Sequence, residues 1–244
     1  MPKRSEILFS IAAFPIYVWQ GLKVRRQTQR IAPPPHQGHL ATGGQGPPLQ
    51  ILIVGDSSAA GVGVEKIEKS LGGHLLEELS EKTGRPINVR IAGMNSATSG
   101  QIRDHVVPNL QHHAYDYICL NIGVNDAKNF HTGRGFCRNF GTLLYALKAR
   151  FPTSIIIWAG IIDMEKIPAI PRPLNRILGI RSRLLDRNGK ILCRERGALA
   201  PDPEWRIIRE NFSSDGFHAS SKGYGEWARN LAAYIVDLEA EKSV

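Results

Sequence analysis

Four short apolar runs, at residues 49–54, 87–92, 117–122 and 155–160, recur along the chain, each bounded by turn-forming residues. The first of them, Leu49–Val54, is short, β-branched and flanked by turn residues, as a buried strand of a parallel sheet is. Helical stripes lie between and after the four runs. Ile67, Leu71, Leu75, Leu76 and Leu79 predict a helix over 67–82 that Gly84 and Pro86 end; Phe136, Phe140, Leu143, Leu144 and Leu147 predict another, running to Phe151-Pro152. Trp227, Leu231, Tyr234 and Ile235 mark a last helix over 222–238. Such alternation implies a single three-layer α/β/α domain over 49–244 with a parallel sheet. With 244 residues, 42% hydrophobic and 22% charged, the chain can bury a continuous core. Those fractions exclude disordered, collagen-like and multi-pass membrane classes.

Residues 163–196 interrupt the alternation. They carry Ile167-Pro168-Ala169-Ile170-Pro171-Arg172-Pro173 and a helical pattern over 174–186, just past the end of the fourth strand. Eight Arg or Lys fall between Arg172 and Arg196. A solvated helix face accounts for most of these charges; a lid or insert over a pocket, with Leu174, Ile177 and Leu178 facing inward, is the functional alternative.

The formal net charge of +9 is unevenly placed: residues 1–30 contribute +5 and the remainder +4. That distribution points to a local electrostatic contact and argues against a domain wrapped around nucleic acid. Within 1–30, an apolar run at 7–22 is flanked by Lys3-Arg4 and by Lys23, Arg25 and Arg26. It is shorter than the ~20 residues of a spanning helix and contains Pro15. It runs into basic residues instead of a small-residue cleavage site, so a cleaved signal peptide is not supported. Two readings fit: a monotopic helix with Tyr17 and Trp19 at a membrane interface, or a helix packed on the protein's own surface. Residues 31–48, rich in Pro and Gly, read as a linker. Three widely spaced cysteines (Cys119, Cys137, Cys193) form no disulfide framework and suit a reducing, cytoplasmic setting, with membrane association through residues 1–30 as an open alternative.

In a parallel sheet, residues that follow the strands converge on one edge. Ser57 follows the first strand, Asn125 and Asp126 follow the third, and Asp215 and His218 precede the last helix. A hydroxyl, an imidazole and a carboxylate are the parts of a hydrolytic triad. The spacing Asp215-Gly216-Phe217-His218 lets Asp215 hold Nδ1–H of His218, leaving Nε2 to accept the Ser57 proton.

These residues resemble the SGNH hydrolases, also called the GDSL esterase/lipase family. Its first block is similar to Ile53-Val54-Gly55-Asp56-Ser57-Ser58-Ala59-Ala60-Gly61, its third to Gly123-Val124-Asn125-Asp126, and its last to Asp215 through His218, in the family's order across residues 49–238. The resemblance implies a flavodoxin-like SGNH hydrolase fold. It also implies Ser57 as nucleophile, His218 as general base and then acid, and Asp215 as the orienting carboxylate. The implied oxyanion hole combines the Ser57 backbone N–H, an N–H of the second block and the Asn125 side chain. The second block is similar to residues 92–99, with Ser96 at the usual glycine. Ser96 can still donate its N–H provided it avoids a positive φ, and Gly93 is the alternative donor. Asp56, Gly123 and Asp126 support the loops.

No metal site and no cofactor are expected: no Cys/His/carboxylate spacing or nucleotide-binding glycine pattern is present, and His74, His105, His112 and His113 read as surface or capping residues. The expected activity is hydrolysis of small carboxylic esters through an acyl-enzyme. Short acyl chains are favoured because the sequence shows no long apolar channel. Lysophospholipase- or lipase-type action or acyl transfer at a membrane surface is the alternative, and a non-catalytic binding module stands behind both.

Overall fold

In the computed structural model, which describes residues 4–27, 31–202 and 207–242, the chain begins with two helices, α1 (Arg4–Ala12) and α2 (Phe14–Gln27). Lys3, on the amino-terminal flank of the apolar run, lies outside the described residues. There follow β1 (His39–Ala41), β2 (Leu49–Gly55), α3 (Leu71–Thr83), β3 (Ile87–Gly93) and α4 (Ser99–Gln101), the last extended by irregular turns to Asn109. The remaining elements are β4 (Tyr117–Asn121), α5 (Val124–Lys128), α6 (Gly133–Arg150), β5 (Ile155–Trp158), α7 (Leu174–Glu195) and α8 (Ser221–Lys242).

The five strands form one sheet in the order β1-β3-β2-β4-β5, parallel except for β1. Side chains alternate across it with period two. Leu52, Val54, Ile118, Leu120, Ile156 and Trp158 face the layer of α6 and α7. Ile51, Ile53, Val89, Tyr117, Cys119 and Ile157 face α3 and α8. The two faces carry separate apolar cores, and a single buried Leu, Ile or Phe in either contributes about 1.5–3 kcal/mol.

The connection from β2 crosses to β3 on one side, and the next returns to β4 on the other. The chain therefore reverses direction between β2 and β4, and a crevice opens at their carboxyl ends. Register aligns those ends: Gly55 pairs with Gly93 on one flank and with Asn121 on the other.

Four departures from the sequence expectations have physical causes. The expected linker at 31–48 contributes β1, a three-residue edge strand; His39 and Ala41 are exposed, so no apolar pattern announces it. The helix expected over 67–82 opens as a separate tight turn, Ile67–Lys69, and α3 begins at Leu71. A Cβ on Gly73 would lie 2.2 Å from the Glu68 carbonyl, so the two segments are pressed together where only glycine fits. The apolar segment 7–22 is two helices with a 62° bend between them. The fourth departure is the length of α7, which continues past 186 to Glu195 because Gly189 packs inside the helix instead of ending it.

The same helix has a solvated side, where Arg176, Arg187 and Arg194 are exposed as expected, with Arg172 just before it and Arg196 just after it, and a packed side. Eleven of its residues are buried. Arg181 is buried with its guanidinium 4.4 Å from the Phe130 ring, and it donates to the His131 carbonyl. Arg183 bridges Asp163 and Glu165, and Lys190 bridges Asp186 and Asp202. Thus α7 is a layer of the fold, and its amino-terminal half and the turn before it wall the crevice.

A Cβ on Gly189 would lie 2.2 Å from the fully buried Trp158 ring, which is itself fixed by an Nε1–H bond to the Ile122 carbonyl. Gly189→Ala is therefore expected to lower stability by about 1–3 kcal/mol in urea denaturation, despite the better helix propensity of alanine. An unchanged or raised midpoint would show that Trp158 can move.

Candidate active site

The end of β2 is held against β4 more closely than any side chain would allow. A Cβ on Gly55 would lie 1.9 Å from the Asn121 carbonyl, and Gly55 sits at φ +156. The next N–H, of Asp56, donates to that carbonyl at 2.9 Å. The Asp56 carboxylate accepts from the Ser58 N–H at 3.0 Å and the Ser58 hydroxyl at 2.9 Å, closing the turn that presents Ser57. Burial pushes the Asp56 carboxyl pKa up, and the Ser58 bonds and the Lys128 charge oppose that rise.

Ser57 is almost buried, and among the described residues neither its hydroxyl nor its N–H has a hydrogen-bond partner. The turn is carried onward to α8 by two contacts that the sequence motifs do not announce. The Tyr224 hydroxyl donates to the Val62 carbonyl at 2.8 Å. A Cβ on Gly63 would lie 2.3 Å from the Ala219 carbonyl, so the serine turn is stacked directly on the histidine turn. Gly61-Val62-Gly63 after the serine block is the only sequence signal for this approach.

Asp215 and His218 are joined by a 2.6 Å bond between Oδ2 and Nδ1. The other carboxylate oxygen accepts from the Ser213 hydroxyl at 2.7 Å, the Phe217 N–H at 2.8 Å and the His218 N–H at 3.0 Å. Burial alone would raise the Asp215 pKa. The bonds from the His218 ring, the two backbone N–H groups and Ser213 outweigh it and hold the carboxyl well below the usual carboxylate range. An ionised carboxylate only accepts, so Nδ1 carries the proton and Nε2 is left as the base.

Asn125 follows Gly123, whose φ of +124 turns the chain out of β4. Its Nδ2 donates to the Ala97 carbonyl at 2.9 Å and lies 3.4 Å from Asp56 Oδ2. One amide hydrogen is therefore committed to Ala97, and the other makes only a long contact. Asp126 points the other way. Buried, it accepts from the Ser99 N–H at 2.9 Å and hydroxyl at 2.7 Å, and from His131 Nδ1 at 3.1 Å, tying α5 to α4.

The condition set for Ser96, that it avoid a positive φ, is not met: its φ is +63, which strains the serine but does not remove its N–H. A lone serine can hold the left-handed conformation at a cost of about 1–2 kcal/mol. Its N–H has no partner among the described residues, and Ser96 lines a cavity together with Ser57. Gly93 has a packing role: a Cβ there would lie 2.2 Å from the Ala60 nitrogen.

Two cavities meet at Ser57, Phe217 and His218. One, of about 650 Å³, runs along the ends of β4 and β5. Ile122, Val124, Ile161, Ile162 and Ile167 line it near the serine, and Asp163, Arg183 and Asp186 are charged groups on its wall. The other, of about 730 Å³, lies under α2, with Tyr17, Val18, Leu22, Leu174 and Leu178 in its walls and Lys128 as the charged group.

A parallel α/β/α sheet bearing a hydroxyl and a carboxylate-bound imidazole at its crossover crevice carries the groups of a serine hydrolase. The chain belongs to the GDSL-like lipase/acylhydrolase family, whose sequence pattern matches residues 53–225 and so leaves α1, α2 and β1 outside the match. It is similar to a GDSL-like esterase of Mycobacterium tuberculosis, 25% identical over 230 residues that cover 86% of this chain and 72% of that protein. Among solved structures it superposes on LAE5, an alpha/beta hydrolase enzyme from the metagenome of Lake Arreo, with a TM-score of 0.60 at 14% identity, covering 78% of this chain and 95% of that one. A lipase/acylhydrolase from Enterococcus faecalis gives a TM-score of 0.57 at 18% identity, covering 76% of this chain and 95% of that one.

Two predictions follow from the site's electrostatics and backbone. Because the folded Asp215 pKa lies below its unfolded value of ~3.9, its contribution to stability is fully present above about pH 4 and is lost as pH falls through the folded value. The stability gap between the unmodified chain and Asp215→Asn should therefore be widest at neutral pH and narrow in urea titrations below about pH 4. Ser96→Gly is expected to leave stability unchanged or raise it by up to about 1 kcal/mol, whereas Ser96→Val should lower it by about 1–2 kcal/mol.

Proposed function

We propose that this chain hydrolyses small carboxylic esters with short acyl chains through an acyl-enzyme on Ser57. The observation that carries the reading is the Ser57 hydroxyl, without a partner among the described residues, in the same cavities as His218, whose Nδ1 is bound by Asp215. In the first half-reaction Nε2 of His218 takes the Ser57 proton while Oγ bonds to the ester carbonyl carbon. The resulting imidazolium, held by Asp215, returns that proton to the departing alkoxide as the ester C–O bond breaks. Water then repeats the sequence: Nε2 takes its proton, the hydroxide bonds to the acyl carbon, and Ser57 leaves with the proton restored. The oxyanion of each tetrahedral intermediate is assigned to the free N–H groups of Ser57 and Ser96 and the weakly engaged amide hydrogen of Asn125. The Ala97 carbonyl keeps that amide oriented before substrate arrives, so no reorganisation is needed at the moment of reaction.

Short acyl chains are supported by the first cavity, whose apolar wall gives way to Asp163, Arg183 and Asp186. Burying a longer alkyl chain against those charges would strip their water without compensation. A second reading, a lysophospholipase- or lipase-type substrate, is favoured by the cavity under α2, where Val18, Leu22, Leu174 and Leu178 offer an apolar wall to an acyl chain.

Initial rates on p-nitrophenyl esters from acetyl to palmitoyl test both readings. An optimum among acetyl to hexanoyl esters is expected; an optimum at decanoyl or longer would favour the second reading. Ser57→Ala should abolish turnover in a protein with unchanged circular dichroism, and Asn125→Ala should lower kcat by about 10²–10³-fold. Full activity in Ser57→Ala would overturn the mechanism.

A further inference from the structure

Helices α1 and α2 are packed on the domain along one side only. The Tyr17 hydroxyl donates to the Lys128 carbonyl, and its ring packs 4.8 Å from that of Phe130. Gln20 accepts from the Leu174 N–H at 3.1 Å and donates to the Arg172 carbonyl at 3.2 Å, so α2 caps the start of α7. The other side is apolar as well. Of the ten exposed large apolar side chains among the described residues, eight lie on α1 and α2. Leu8 is 67% exposed, Trp19 65% and Ile11 54%.

Water is a poor neighbour for such a face, and its charges say what a better one would be. Exposed Arg4 begins α1, exposed Lys23 and Arg26 close α2, and Glu6 is the one acidic residue on the pair. Lys23 Nζ stands 5.9 Å over the Trp19 ring, and the guanidinium of Arg176 on α7 stands 5.5 Å over Phe9. Aromatic rings next to cations, with an apolar elbow between two basic ends, match the boundary between acyl chains and anionic headgroups. Among the described residues no single helix is long and apolar enough to cross a membrane; Arg4–Ala12 and Phe14–Val24 reach that length only as a pair across the 62° bend. A bent pair held to a globular domain by its inner side can lie in an interface.

We propose that the outer face of α1 and α2 is a docking surface for an anionic lipid bilayer. Val18 and Leu22 are part of this exposed face and also line the cavity that reaches Ser57. Docking therefore sets the cavity mouth at the lipid boundary, where an amphiphilic ester can slide under α2 without passing through water. The inference goes beyond the ester-hydrolase reading and does not depend on it, since binding is read without turnover.

The test is co-flotation of the full chain with vesicles of phosphatidylcholine alone and of phosphatidylcholine with phosphatidylglycerol. Binding to the anionic vesicles is expected, weaker at high salt and weaker on the neutral ones. Leu8→Ser with Ile11→Ser and Trp19→Ser, none of which lines either cavity that reaches Ser57, should lower the affinity about tenfold or more while hydrolysis of a soluble ester is retained. Lys23→Glu with Arg26→Glu should erase the preference for anionic vesicles. Ser57→Ala should float like the unmodified chain. Absence of binding to either vesicle, or equal binding by the triple variant, overturns the proposal. A dimer in sedimentation velocity that the triple variant abolishes, without vesicle binding, overturns it in favour of a second copy of this chain on the face.

Discussion

The contact between Gly55 and the Asn121 carbonyl sets the geometry on which the rest of the site depends. Because no side chain intervenes, the ends of β2 and β4 close to backbone contact, and the Asp56 N–H takes the Asn121 carbonyl that the ladder would otherwise leave open. Ser57 emerges from the crevice where the sheet reverses its winding, with Asn125 four residues along from the same junction on the neighbouring strand. Gly93 and Gly63 repeat the device, letting β3 approach the serine turn from one side and the histidine turn from the other. Backbone against backbone is stiffer than any side-chain contact, which suits groups whose alignment must hold within a few tenths of an ångström.

The imidazole is positioned by different means. Four donors converge on the Asp215 carboxylate, all of them from residues within three positions of it in the chain. A carboxylate saturated in this way stays ionised and cannot rotate, so it sets both the tautomer and the plane of His218. Local sequence thus supplies the base, while long-range packing through Tyr224 and Gly63 supplies its distance from the serine turn. The two kinds of constraint are separable, because replacing the carboxylate alters a charge and replacing a glycine alters a distance.

That division also explains what could be read without coordinates. Three of the parallel strands, β2, β4 and β5, are buried on both faces over nearly all their length and therefore spell themselves out as apolar runs, while β3 alternates buried with half-buried residues. Leu49–Gly55 and Tyr117–Asn121 lie within a residue or so of their expected limits. The blocks around Ser57, Asn125 and Asp215 were legible because each is a contiguous turn. What failed was whatever depends on distant partners. β1 owes its existence to β3 and has no pattern of its own, and α7 runs through Gly189 because the Trp158 ring fills the space a side chain would take. The left-handed φ of Ser96 is likewise a property of the loop's closure, seen in the Ala97 N–H bond to the Met94 carbonyl, and not of the serine itself. The apolar lining of the first cavity comes from segments scattered between 122 and 227, so no single run in the sequence could reveal it.

The amino-terminal helices show why a choice between packing and exposure was the wrong question to ask of residues 7–22. A helix apolar on one stripe needs one apolar neighbour; a helix apolar nearly all round needs two. The domain is the first neighbour of α2, through Tyr17, Gln20 and the half-buried Val24. Val18 and Leu22 then carry the apolar surface from the solvent side into the cavity wall, so the face left open and the path to Ser57 are one continuous surface. A helix used this way couples location to chemistry: whatever medium covers its outer face also decides which esters arrive at the mouth beneath it.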